Sequence, residues 1–153
     1  VSIAIQLTVN GLEGAEALLA RMDNPDFTRL LDEIGATVVS QTQSRIRDEK
    51  RGPDGENWPV WSAKYARTRH GGQSLLQGES NPGLLSSITH LVRGNRVEIG
   101  SALPYAAHHQ FGSKKSSGRG SGVPARPYLG LSEDNRDEIE TICAGFIERL
   151  LRG

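Results

Sequence analysis

The stretch Pro104–Leu131, PYAAHHQFGSKKSSGRGSGVPARPYLGL, most constrains what this chain can fold into. Two aromatic-bearing blocks, PYAAHHQFG and VPARPYLGL, flank Ser113–Gly122, ten residues without an apolar side chain. Ser, Gly, Lys and Arg alone cannot form a packed core. The middle is therefore expected to be a flexible basic loop, 112–123, with the two blocks holding its ends to one folded body. An ordered clamp on a cationic arm reads as assembly equipment rather than as a catalytic pocket.

A chain of 153 residues suits one domain, 1–153, and can bury a sizeable core. Apolar residues make up 36% and aromatics 5%, lean for an independent monomer, and burial shared with a partner would be one remedy. Formal net charge is zero, from 18 basic and 18 acidic residues. The charges are unevenly spread: residues 1–41 carry six acids and two bases, and residues 93–127 carry six bases and only Glu98. From Glu133 onward there are six acids and three bases. Acidic ends and a basic middle could pair head to tail between subunits, or set a positive surface near nucleic acid. Solvated faces that merely differ in sign would read the same way.

Cys143 is the single cysteine, so no intrachain disulfide is possible, and its place on an apolar stripe marks it as a small core residue. No run approaches the roughly 20 apolar residues of a membrane span. The start lacks a basic segment followed by an apolar block, so the chain reads as cytosolic when made.

Alternating Ile3, Ile5, Leu7 and Val9 predict a half-buried strand over Ser2–Val9. Leu12–Met22 reads as a short helix. Asn24 and Pro25 are expected to cap and open a long helix reaching about Glu49, with Phe27, Leu30, Leu31, Ile34, Val38, Val39 and Ile46 on one face. Thr42 stands where another apolar residue would be expected. Gly52-Pro53-Asp54-Gly55 ends that helix in a turn, and Trp58 and Trp61 are expected to anchor the following loop to the core. Ser62 caps a short helix. Ser87–Arg93 and Arg96–Gly100 predict a hairpin turning at Gly94-Asn95. Pro104–Phe111 reads as a short helical turn. A closing helix begins near Ser132, with Glu133 and Asp134 at its positive end and a stripe of Ile139, Ile142, Cys143, Phe146, Ile147, Leu150 and Leu151. The expected fold is α+β: a small antiparallel sheet packed against two long amphipathic helices, with one long flexible loop.

Chemistry-bearing constellations are sparse. Adjacent His108 and His109 point in different directions, and one cysteine with no HxxxH spacing gives no zinc motif. One histidine of the pair is expected to face inward and the other solvent. Ser86 or Ser87 with His108 or His109 lacks a GxSxG elbow and an orienting acid. Paired carboxylates lie only on predicted helix surfaces and ends, and no phosphate-binding glycine loop follows a strand. The expectation is a non-enzyme without metal or cofactor. Lys114, Lys115 and Arg119, with Arg126, could touch phosphates without reading sequence, so a small non-specific nucleic-acid-binding protein is the alternative.

Four blocks together carry a resemblance: PDGENWPVWSAKY (Pro53–Tyr65), LLQGESNPGLLSSI (Leu75–Ile88), VEIGSALPYAAHHQFG (Val97–Gly112) and VPARPYLGLSEDN (Val123–Asn135). In this order they resemble the phage virion morphogenesis proteins, the tail completion or head–tail joining family of Mu-like and P2-like phages. The Asn81-Pro82 stretch departs from the pattern locally. The resemblance implies a structural virion protein at the neck or proximal tail end, forming a homo-oligomeric ring, most simply a hexamer. Its implied partners are other neck, connector or tail-tube proteins, with possible non-specific contact with DNA and no membrane. Trp58, Trp61, Tyr105, His109, Phe111, Arg126 and Tyr128 are the candidate subunit or partner contacts. Their aromatic rings would pack loops against the sheet or against a neighbour. The planar guanidinium of Arg126 suits an intersubunit carboxylate, unless it is simply a solvated loop charge. Lys114, Lys115 and Arg119 are the candidate loop contacts.

Overall fold

The computed structural model describes residues 3–7, 20, 26–114 and 122–152. Strand β1 (Ile3–Leu7) is followed by helix α1 (Phe27–Ser44), which runs on into a π-helical turn, Arg45–Glu49. Short helices α2 (Ala63–Ala66) and α3 (Leu84–Ser87) precede the hairpin β2 (Thr89–Arg93) and β3 (Arg96–Ser101). Helix α4 (Ala106–Phe111) and the closing α5 (Glu133–Arg152) complete the chain. This is the expected α+β class. The expected helix over Leu12–Met22, the cap Asn24-Pro25, and Ser2, Thr8 and Val9 of the first strand lie outside the described residues.

The three strands form one antiparallel sheet in the order β1-β3-β2. Ile5 pairs with Ile99 and Val92 with Val97, which puts Ile3, Ile5, Leu7, Val92, Val97 and Ile99 on one face, while Leu91, opposite Glu98, is exposed on the other. Gly94 takes φ of +60° between β2 and β3, as a two-residue hairpin turn requires. Helix α1 lies across the apolar face. Gly35 lets it come close: a Cβ there would stand 2.5 Å from His90 Cδ2 and 2.8 Å from Val97 Cγ2. Ile34, Val38, Ile46, Val97, Ile99 and Tyr128 are sealed from solvent at the centre of the core.

The described N-cap of α1 is Asp26, whose side chain accepts from the Thr28 amide at 3.0 Å. The expected apolar face of α1 is the one observed. Thr42 is fully buried in that face, and its Oγ1 has no partner among the described residues. Helix α5 opens on a reciprocal cap: Ser132 Oγ accepts from the Asn135 amide and Asn135 Oδ1 from the Ser132 amide, both at 3.2 Å. It packs on α1 through Phe146 against Phe27, ring centroids 5.8 Å apart, and through Glu138 with Gln41. Only part of its predicted stripe is sealed. Ile139 and Phe146 are buried, Ile142, Cys143 and Leu150 are half-buried, and Leu151 is exposed. The second strand begins at Thr89 rather than Ser87, because Leu84–Ser87 closes a helical turn with the Ser87 amide donating to the Gly83 carbonyl.

Candidate functional site

The two aromatic blocks are joined to each other by direct hydrogen bonds. Ser113 and Val123 exchange backbone bonds at 2.8 and 3.1 Å, and the Arg126 amide donates to the His109 carbonyl at 2.7 Å. Gly112 turns the chain between them at φ of +75°, where a Cβ would meet the Ala125 nitrogen and the Val123 oxygen at 2.9 Å each. Gln110 reaches across from α4: its Oε1 accepts from the amides of Tyr128 (2.9 Å) and Leu129 (3.0 Å), and its Nε2 donates to the Leu129 carbonyl (3.1 Å). A strand would satisfy the same backbone groups; here one amide side chain does so.

Other elements meet at the return segment, Arg126–Gly130. The Trp58 indole donates to the Pro127 carbonyl at 2.9 Å, and the Tyr128 hydroxyl to the Ala106 carbonyl at 3.0 Å. Burial pushes the Tyr128 phenol well above its usual range, so the hydroxyl stays a donor. Arg45, 1% exposed, donates to the Tyr128 carbonyl (2.8 Å), the Gly130 carbonyl (3.3 Å) and Asn135 Oδ1 (2.6 Å). Desolvation lowers its pKa, partly opposed by Glu49. One buried guanidinium thus ties the end of α1 to the return segment and to the cap of α5.

Lys50 stops the long helix in the left-handed region, at φ of +55°. Its ammonium donates to the Ile46 carbonyl and into the next turn, to Ser74 Oγ and Gln77 Oε1 at 2.8 Å and the Leu75 carbonyl at 3.0 Å. That turn carries Leu76 at φ of +61°.

Beside the crossing opens a groove of about 780 Å³. Trp61, Tyr65 and Arg69 line one wall, and Tyr105, His109 and Arg126 the other. Trp61 and Tyr65 meet edge to face, as do Tyr105 and His109. Burial, with the positive charges of Arg126 and His108, holds the His109 imidazole below its ordinary value.

The candidate contacts therefore divide. Trp58 and Tyr128 are inside the subunit, where they pack loops against its own core. Arg126 is 5% exposed, which excludes a solvated loop charge, and its guanidinium donates to the Pro59 and Val60 carbonyls at 2.8 and 3.4 Å. Trp61, Tyr105 and His109 are half-buried on the groove, and Phe111 is 72% exposed. Lys114 is exposed, and Lys115 and Arg119 lie outside the described residues. Of the histidine pair, His108 faces solvent and His109 faces inward, with its Nδ1 lacking a partner among the described residues. Ser86 Oγ donates to the Gly83 carbonyl and Ser87 Oγ to the Leu84 carbonyl, and among the described residues neither is bonded to a histidine. Among the described residues no three His, Cys, Asp or Glu side chains cluster as metal ligands, and no helix is long and apolar enough to cross a membrane.

Arg45, Lys50 and Gln110 were not among the sequence candidates. Arg45 had a readable signal, since it continues the buried positions Val38 and Thr42 at helical spacing. Gln110 lies inside the block HQFG. Lys50 had no such mark.

Fold and site define an α+β protein whose signature residues tie its loops to its own core and shape a groove at its surface. Comparison with known proteins gives the particular family: this chain belongs to the phage virion morphogenesis family, whose model matches residues 9–148. It is 33% identical over 125 residues to Mu-like prophage FluMu G protein 1 of Haemophilus influenzae, covering 79% of this chain and 77% of that protein. It is 30% identical over 141 residues to FluMu G protein 2 of the same organism, covering 90% and 93%. The Escherichia phage Mu protein named "Putative capsid assembly protein G" is 34% identical over 113 residues, covering 69% and 70%. No solved structure matches the chain. Its role is accordingly a structural one in phage virion assembly.

Proposed function

We propose that the chain forms a homo-oligomeric ring, a hexamer, at the neck or proximal tail end of a tailed phage or prophage particle. There it completes the tail and joins it to the head, resting on neighbouring neck, connector or tail-tube proteins. The observation that carries this reading is the use of the two signature blocks. Their polar groups close on each other through Gln110, Arg126 and the Ser113–Val123 pair, and leave a groove with aromatic walls facing outward. Residues spent on fixing a surface suit a protein that works by contact. Aromatic rings on a mixed polar and apolar outward lining also answer the lean composition, because part of the burial is then shared with a neighbour.

Native mass spectrometry of the purified chain tests the oligomer. The expected spectrum is dominated by one closed species at six subunit masses. A monomer at every concentration up to that of assembling particles would overturn the ring.

A further inference from the structure

We infer that the groove receives the exposed acidic face of α5 from a second copy of this chain. The inference rests on the ring reading and names the two surfaces that would make it.

Two guanidiniums are fixed in the groove walls. Arg69 lies over the Tyr65 ring, 4.4 Å from its centroid, and its Nε donates to Thr68 Oγ1 at 3.3 Å. Arg126 is clamped through Nε and Nη2 by the Pro59 and Val60 carbonyls, while its Nη1 has no hydrogen-bond partner among the described residues. Neither arginine has an ion-pair partner among the described residues. Holding both heads in place beforehand removes much of the ordering cost of gripping a carboxylate.

The same chain carries the complement. Glu133, Asp137 and Glu140 recur at helical spacing along one exposed face of α5, with Arg136 at its edge, and none of the three is in an ion pair among the described residues. The helix N-terminus accounts for Glu133, but Asp137 and Glu140 lie beyond the first turn, where that field has faded. Groove and acidic face are different patches, which allows a heterologous contact, the kind that runs head to tail and forms a ring when the rotation between copies closes. The groove also holds Glu79 and an imidazole kept neutral by burial. Two guanidiniums suit isolated acidic side chains better than a phosphate chain, which needs a continuous run of cations, and Glu79 further disfavours a run of anions.

The test uses the full chain with Arg69→Glu, the milder Arg69→Ala, Asp137→Arg with Glu140→Arg, and Arg69→Glu combined with the two α5 changes. Native mass spectrometry and sedimentation read assembly, and thermal melts read folding. Arg69→Glu and the α5 pair are each expected to weaken association at least about tenfold, with folding unchanged and with the combined reversal recovering most of the loss. Should Arg69→Glu melt early, Arg69→Ala must show the same direction at a normal melt. A wild-type oligomer that none of these changes weakens, or a combination that recovers nothing, overturns this inference and leaves the ring reading standing. A monomeric wild type overturns both. Binding of a fluorescent single-stranded oligonucleotide that needs Arg69, with assembly unaffected, also overturns it and assigns the groove to nucleic acid.

Discussion

Gln110 and Leu129 are paired through both the amide and the carbonyl of Leu129, at 3.0 and 3.1 Å, although no strand runs between them. The same Oε1 also takes the Tyr128 amide. A single side chain therefore fixes the register of the return segment against α4, and with it the position of Arg126 in the groove. Gln110→Ala is expected to lower stability by about 2–3 kcal/mol, because three backbone groups lose their partners in a largely dry site. Gln110→Glu, which sets an oxygen against the Leu129 carbonyl, is expected to be no milder. Urea unfolding of the two variants checks this, and a loss below about 0.5 kcal/mol for Ala would contradict it.

Arg45 is the second tie. Arg45→Met keeps most of the apolar volume but takes the charged donor from the Tyr128 and Gly130 carbonyls and leaves Asn135 Oδ1 with the Ser132 amide alone. The expected loss is about 3–4 kcal/mol, since bonds to a charged donor are the stronger kind. Thermal unfolding measures it. A methionine variant as stable as wild type would mean that water replaces the guanidinium at no cost.

Gly112 tests the clamp from the backbone side. Its positive φ and the 2.9 Å approach to Ala125 and Val123 backbone atoms leave no room for a Cβ. Gly112→Ala is expected to cost about 1–3 kcal/mol. It should also speed amide exchange at Ser113 and Val123 relative to α1, readable by hydrogen exchange; unchanged protection there would refute the clamp.

His109 makes the groove sensitive to acid. Its pKa is lowered by burial first, then by Arg126 and His108. The unfolded chain takes up a proton near the ordinary value of about 6.5, whereas the folded chain resists it. Stability is therefore full above that pH and is lost as the pH falls from there toward the lowered folded value. His109→Phe keeps a ring against Tyr105 and removes the titration. Its urea midpoint should fall less than that of wild type between about pH 7.5 and about pH 5.5. Equal falls in the two proteins would assign the effect elsewhere.

The stripes of α1 and α5, the alternation in β1 and the turn at Gly94-Asn95 were legible because each depends on neighbours within a few residues. The fate of the aromatic blocks was legible only in outline. Trp58 and Tyr128 read as contacts, yet whether a ring packs at home or abroad depends on which carbonyl waits for its polar tip, Pro127 and Ala106 here. Arg45 finds its acceptors 83 to 90 residues away, so nothing local distinguishes it from a surface arginine except its place on a buried stripe. Lys50 is harder still, because its left-handed backbone and its reach to Ser74 and Gln77 follow from a turn that the chain has yet to make. The short helix Leu84–Ser87 displaced the expected start of β2, a boundary set by one capping carbonyl rather than by any apolar pattern.

In the proposed role this chain finishes the tail and joins it to the head. Electron microscopy of particles made by a phage or induced prophage lacking the chain tests it most directly. Filled heads and separate tails are expected, with joining restored when the chain is supplied in trans. Normally joined, infectious particles in its absence would contradict it.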